Sequence, residues 1–297
     1  MSSMTKHNSN VNKGDVFIKI INSSVIAETV ARLCIESNIR QGEDIKTEMK
    51  TARLRETSKT AVNVLDMLLE NAEIALNEQM PICQDTGMAV VFVEIGQDVH
   101  IAGGFIGDAI NEGVRKGYKN GYLRKSVVID PINRVNTNDN TPAVIHYEIV
   151  NGERFKVTVA PKGFGSENMS AVKMFEPSED IEGIKNFIIS AVKNAGANPC
   201  PPVIIGAGIG GTMEKAAYLS KKALLRQIGS RHKDTFWATV EEEILDSINC
   251  FGVGPAGLGG NTTALGVMIE TFPTHIAGLP VAVNIGCHVT RHAEAVL

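Results

Sequence analysis

The chain has 297 residues, 43% of them hydrophobic, and a formal net charge of −4 with Lys and Arg scattered along it. That is enough apolar material for a full core, and with one Trp and four Tyr there is neither a basic stripe nor a stacking surface for nucleic acid. No run approaches the roughly eighteen apolar residues of a membrane-spanning helix, so the expected partner is a small molecule or another protein.

The first fourteen residues, MSSMTKHNSNVNKG, lack an apolar segment and a small-residue cleavage pattern. They predict a flexible tail, not a signal peptide, ahead of one domain over 15–297. Helical apolar spacing follows at 24–36 and again at 52–79, the latter through Val62, Leu65, Leu68, Leu69, Ala72 and Ile74. MAVVFVEI is a Val- and Ile-rich run that predicts a buried strand, and FIGDAINEGVRKGYKNG reads as a helix running into a glycine turn. AVIHYEIV and RFKVTVAP, joined by Asn151, Gly152 and Glu153, predict a hairpin, because Asn-Gly supplies positive φ between two strand-like runs. SEDIEGIKNFIISAVKNAG has a helix start at Ser178 and Gly196 near its end. PPVIIGAGIGG then TMEKAAYLSKKALLRQ is strand, glycine turn and helix, and ALGVMIET and PVAVNI are two further strands. Helices alternate with strands, so the fold class is α/β with a mixed sheet and packed helices.

Gly206, Gly208 and Gly211 in GAGIGG satisfy GxGxxG between a predicted strand and helix. The ribose-binding acid expected about twenty residues on is missing, since that region reads RQIGSRHKD within helix and loop. A tight turn with close backbone approach accounts for the glycines; an NAD(P)-dependent oxidoreductase is the competing reading.

The five cysteines, at 34, 83, 200, 250 and 287, are too few and too dispersed for a secreted disulfide framework and contain no CxxC pair, which points to a reducing, cytoplasmic setting. Cys83 in PICQDTG, Cys200 in NPCPP and Cys287 in NIGCHVTRH each stand at a predicted strand end beside polar, cationic or proline neighbours. Cys34 lies in a helical pattern, and Cys250 between a helix end and a glycine loop, where packed or idle thiols are the simpler reading. Three strand-end thiols from distant segments can converge on one soft metal centre; an iron–sulfur cube takes four thiolates, so three would leave one iron open. Five unrelated cysteines remain the alternative.

CQDTG at 83–87, KGFGSEN at 162–168, NPCPP at 198–202, GIGGTMEKA at 208–216, GPAGLGGNTTALGV at 254–267, PTHIAGLPVAV at 273–283 and CHVTRHA at 287–293 resemble, in that order, the α-subunit or N-terminal region of the class I iron–sulfur fumarases. The related L-tartrate dehydratases share much of the pattern. The resemblance covers about residues 20–297, and GPAGLGGNTT and PTHIAGLP are closer to the fumarase side.

The resemblance implies a hydro-lyase with a [4Fe–4S] cluster on Cys83, Cys200 and Cys287, its open iron acting as Lewis acid in the reversible hydration of fumarate to malate; L-tartrate dehydration is the alternative. It implies Asp85 at the substrate hydroxyl, Gln84 and Arg124 at carboxylates, Gly165 offering backbone N–H groups, and His275 in the active site. Without the resemblance, Asp85 is a turn former before Thr86-Gly87, Arg124 a surface arginine and His275 a structural loop histidine. Phe164 stands where family members often have glycine. Single-chain members continue into a second domain that supplies the base for the substrate C–H, so the resemblance implies a separate β subunit and a hetero-oligomer. A non-catalytic Fe–S module is the remaining reading outside the dehydratases.

Overall fold

The computed structural model describes residues 18–297; the expected tail at 1–14 lies outside the described residues. In chain order the elements are β1 (Lys19–Asn22), α1 (Ser23–Ile39), α2 (Glu43–Arg55), α3 (Lys59–Asn77), β2 (Met88–Gly96), β3 (Val99–Ala102), α4 (Ile106–Asn120), β4 (Val144–Val150), β5 (Phe155–Lys162), the one-turn α5 (Phe164–Glu167), β6 (Ala171–Phe175), α6 (Ile181–Ala195), β7 (Val203–Gly210), α7 (Met213–Ala223), α8 (Thr235–Asn249), β8 (Ala264–Phe272), β9 (Leu279–Gly286) and β10 (Ala293–Val296). The class is mixed α/β, as the alternation of patterns predicts.

Two four-stranded mixed sheets carry the fold, ordered β10-β5-β2-β4 and β6-β9-β7-β8, with β1 and β3 paired apart from them. Alternation along each strand sends one face to one core. Ala89, Val91 and Val93 of β2, with Phe155, Val157 and Val159 of β5, pack under α1 and α4. Val203, Ile205, Ala207 and Ile209 of β7 pack under α6 and α8, while Ile204 faces the other way onto α2, α3 and α7. The second faces of the two sheets look toward each other, with Tyr218 and Lys222 of α7 reaching Glu148 of β4.

Three local expectations are corrected, two by helix caps and one by strand pairing. The periodic run 52–79 is two helices, because Glu56 caps α2 and the Ser58 side chain accepts the Ala61 N–H to start α3. The helix predicted to start at Ser178 starts after Asp180, whose carboxylate accepts the Gly183 N–H. The Asn151-Gly152 turn forms with Gly152 at φ +80°, but β4 and β5 are not paired with each other: β2 lies between them, parallel to β4 and antiparallel to β5. The connection crosses the end of β2 at Gly96, where a Cβ would sit 2.1 Å from the Gly152 carbonyl oxygen. Only a glycine lets the turn pass over that strand.

The GAGIGG glycines are explained by packing. Gly206 and Gly208 lie inside β7, and a Cβ on either would stand 2.1 Å from a backbone oxygen of α7, that of Ser220 or of Ala216. The turn itself is Gly210-Gly211, both at positive φ. The motif seats α7 on the sheet and is not a phosphate-binding loop.

Candidate active site

Cys83, Cys200 and Cys287 come to one place from the three distant segments. β7 and β9 are antiparallel, with Ile204 opposite Gly286, so the residues just before β7 and just after β9 share one end of their sheet. Cys200 is in the first group and Cys287 in the second. The His288 N–H and Nδ1 both reach the Cys200 carbonyl, at 3.4 and 3.0 Å, and join the two loops. Cys83 and Cys287 pack together against Ala75, Ile82 and Val289. Burial first, and then the charges of Cys287 and Cys83, raise the Cys200 thiol above its ordinary range, so the three sulfurs are electrostatic neighbours. All three are free thiols and at least partly accessible, whereas Cys34 is buried with its thiol pushed up to about 12 by burial. Among the described residues, no group of three or more His, Cys, Asp or Glu is arranged to hold a metal ion.

Asp85 is the hinge between two loops. Its Oδ1 accepts the Gly87 N–H at 3.0 Å, the turn-forming bond expected of an Asp two residues before glycine, and its Oδ2 accepts the Phe164 N–H at 3.0 Å. Its backbone carbonyl accepts from Arg291 Nη2. Thr86 Oγ1 donates to the Arg124 carbonyl at 3.0 Å, and the buried Tyr118 hydroxyl reaches the carbonyls of Thr86 and Gly87 at 2.8 and 2.9 Å. The CQDTG segment is thereby fastened on three sides. Gln84 beside it is exposed.

Asp85, Arg124, Ser126, Arg134, Phe164 and Asn168 line an open cleft at this end of β2. Arg124 is exposed into it, and Arg134, held at φ +54°, adds a second guanidinium that the sequence pattern did not single out. Gly165, in the first turn of α5, has an N–H with no intrahelical partner by position. A Cβ there would meet only the Asn198 oxygen, at 3.7 Å, so nothing within this chain demands glycine.

His275 is elsewhere. It lies in the β8–β9 connection, next to the Gly210-Gly211 end of β7, where Thr274 Oγ1 bonds the Gly211 carbonyl. Cys200 is at the other end of that eight-residue strand, a separation of roughly 25 Å at about 3.3 Å per residue. The ring is exposed and its Nδ1 accepts the Ala277 N–H. One chain does not bring His275 to the cleft.

Behind Cys287 is a buried polar network absent from the sequence expectations. Lys162 Nζ donates to Ser166 Oγ and to the Ile285 carbonyl, both at 2.7 Å, and lies 3.6 Å from Glu167; Lys221 binds the same carboxylate at 2.6 Å. Burial, only partly offset by Glu167, pushes the Lys162 amine down to about 8. Arg291 is buried with its Nε unpartnered. A small cavity lined by Lys162, Lys221, Arg291 and Cys287 connects these cations to the cysteine loops. Lys162 and Lys221 share the Glu167 carboxylate, while Arg291 donates to the Asp85 carbonyl. Lys162 falls in KGFGSEN and Arg291 in CHVTRHA, yet nothing in the local pattern distinguishes a buried cation from a surface one.

A family model described as fumarate hydratase (Fumerase) matches residues 27–296. "Putative L(+)-tartrate dehydratase subunit alpha" of Methanocaldococcus jannaschii is 43% identical over 274 residues, covering 90% of this chain and 96% of that one. L(+)-tartrate dehydratase subunit alpha of Escherichia coli (strain K12) is 32% identical over 270 residues, covering 90% of this chain and 88% of its own. Among the described residues, no helix is long and apolar enough to cross a membrane.

Proposed function

Because the chain belongs to the fumarate hydratase (Fumerase) family of hydro-lyases, we propose that it is the α subunit of an enzyme that adds water to, or removes it from, a four-carbon dicarboxylate at a [4Fe–4S] cluster on Cys83, Cys200 and Cys287. The single observation that carries this reading is the meeting of those three thiols beside a cleft lined by Asp85 and two arginines. The donor set fits the group in its chemistry: three free thiols from separate loops, with Lys162, Lys221 and Arg291 nearby to balance an anionic thiolate-bound cluster. When bound, the cluster would supply a Lewis-acidic iron for the substrate hydroxyl.

The chain's own residues have separable tasks. Arg124 and Arg134 offer charge-assisted hydrogen bonds to the two carboxylates of a small dianion, and the unbonded Gly165 N–H adds a neutral donor. Asp85 has lone pairs left after its two backbone contacts and can accept from the substrate hydroxyl, orienting it. Gln84 is exposed beside it as a further carboxylate partner. None of these is free to take the substrate C–H proton, and His275 is at the far end of the sheet. A separate β subunit that covers the cleft and brings the base completes the reading, and the relatives' names as alpha subunits support it.

We assign fumarate and malate as the substrate pair on the family's description. L-tartrate is the second reading, favoured by the names of the relatives at 43% and 32% identity. The motifs that resembled fumarases do not discriminate, since PTHIAG is remote from the cleft and GPAGLGG packs behind Cys200. The test is anaerobic co-expression with the β chain, followed by assays on fumarate and on L-tartrate and by iron analysis of cysteine variants. Cys83→Ser, Cys200→Ser and Cys287→Ser each lose the cluster, while Cys34→Ser and Cys250→Ser keep it. A full cluster in any of the first three overturns the ligand set; turnover by the cluster-loaded α chain alone overturns the need for a β subunit.

A further inference from the structure

The loop GPAGLGGNTT lines no part of the cleft, yet it is fastened at both ends. Its anchor is Glu56, at the α2–α3 corner and 9% exposed. Glu56 Oε1 accepts the N–H groups of Thr57 and Ser58 at 2.9 and 3.2 Å, and the carboxylate reaches across to the Asn261 N–H at 2.8 Å and to the Thr262 N–H and Oγ1 at 3.2 and 3.3 Å. Asn261 returns a bond to Thr57 Oγ1 at 3.0 Å. Although burial works against it, these backbone donors hold the Glu56 carboxyl below the usual range. Gly260 stands so close that a Cβ would meet Ala61 Cβ at 2.6 Å and Glu56 Oε2 at 2.9 Å.

The other end of the loop grips the segment that holds Cys200. The Ala256 N–H donates to the Pro201 carbonyl at 2.8 Å, and a Cβ on Gly257, at φ +76°, would lie 2.4 Å from Ala197 Cβ. The Thr263 carbonyl accepts the Val203 N–H at 2.9 Å. Cys200 itself is at φ +55°, a left-handed conformation that a residue with a side chain holds only when its surroundings over-determine it. Its clamps are visible: His288 on its own carbonyl, Ala256 on the carbonyl of the next residue, and its N–H on the Ala197 carbonyl at 3.1 Å.

We infer that Glu56 is a positioning residue for Cys200, acting through the 254–263 loop to hold that cysteine in its left-handed conformation with the thiol turned to its two neighbours. The role concerns a residue 144 positions away that touches neither substrate nor thiol. It rests on the proposed function only in taking Cys200 as functional.

The test is peptide-resolved alkylation of the full-length, iron-free chain by iodoacetamide, read as the rate at Cys200 relative to Cys83 in the same molecules. Glu56→Ala is expected to change that ratio several-fold, and Glu56→Gln, which keeps one acceptor oxygen, to change it in the same direction by less. Leu65→Ala is the control: it opens a cavity under the same helix pair without touching the loop. A wild-type ratio in Glu56→Gln, or an equal change in Leu65→Ala at matched loss of stability, overturns the inference; if Glu56→Ala does not fold, Glu56→Gln decides. Iron content is measured separately. A wild-type chain that binds no cluster, with Cys200 still released by the Glu56 variants, defeats the cluster reading and leaves the positioning role standing.

Discussion

Gly208→Ala separates the two meanings of GAGIGG. A Cβ at this position would be 2.1 Å from the Ala216 oxygen, 2.6 Å from the Ser220 nitrogen and 2.8 Å from Leu219 Cβ. Two of the three are helix backbone and cannot rotate aside. Since carbon and oxygen do not approach much closer than roughly 3 Å, α7 must retreat by about 1 Å, which forfeits a quarter to a half of each dispersion contact along its seam with the sheet. Ala223 and Leu224 would lift from Ile204, Leu265 and Met268. Overpacking of this kind costs about 3 kcal/mol, which for a domain of this size lowers Tm by roughly 6–12 °C. Gly165→Ala is the matched control: its only neighbour is at 3.7 Å and its φ is not positive, so stability changes by no more than about 1 kcal/mol. The assay is thermal and urea unfolding followed by circular dichroism. A Gly208→Ala chain with the wild-type midpoint would refute the packing account, and tight nicotinamide-nucleotide binding by the wild-type chain would restore the rejected one.

Arg124→Met is expected to lower kcat/KM of the assembled enzyme by about 2 kcal/mol, the scale of a hydrogen bond to a charged group, while iron content stays at the wild-type level; lost iron would instead make it structural. Tyr118→Phe takes the hydroxyl donor from the buried Thr86 carbonyl and one of two side-chain donors from Gly87, which Asn140 still serves, and should cost about 1–3 kcal/mol in urea unfolding; an unchanged midpoint would contradict the fastening of the CQDTG segment. Lys162 gives a pH signature in the iron-free chain. Its folded pKa of about 8 is below the ordinary 10.5, so from pH 8 upward the unfolded chain holds a proton that the folded chain has released, and stability rises with pH. Relative to Lys162→Met, wild type should gain up to about 3 kcal/mol between pH 7.5 and 10.5, at about 1.4 kcal/mol per pH unit; a constant difference in unfolding free energy would disprove it.

Where short-range chemistry decides an element, the residues alone sufficed. The Val-rich run of β2, the amphipathic α4 and the strand–glycine–helix of β7 and α7 follow from periodicity and from glycine at the required turn. The three cysteines stand out in the sequence because thiols are unusual at such polar loop positions, Asp85 takes a role only from the resemblance, and the order of motifs carried the family, which the comparisons show. Pairing, in contrast, is a contest between strands that no local pattern records. β4 and β5 have a sound turn between them, yet β2 takes the place between them because Gly96 lets that turn cross its end. Position within the sheet likewise decided that Cys200 and Cys287 meet while His275, only twelve residues before Cys287, is at the opposite end: β9 runs the length of the sheet between them. The buried cations were illegible for the same reason. Whether Lys162 or Arg291 faces water or the back of a cysteine loop depends on which surfaces the two sheets turn toward each other, a property of the packed chain and not of any segment of it.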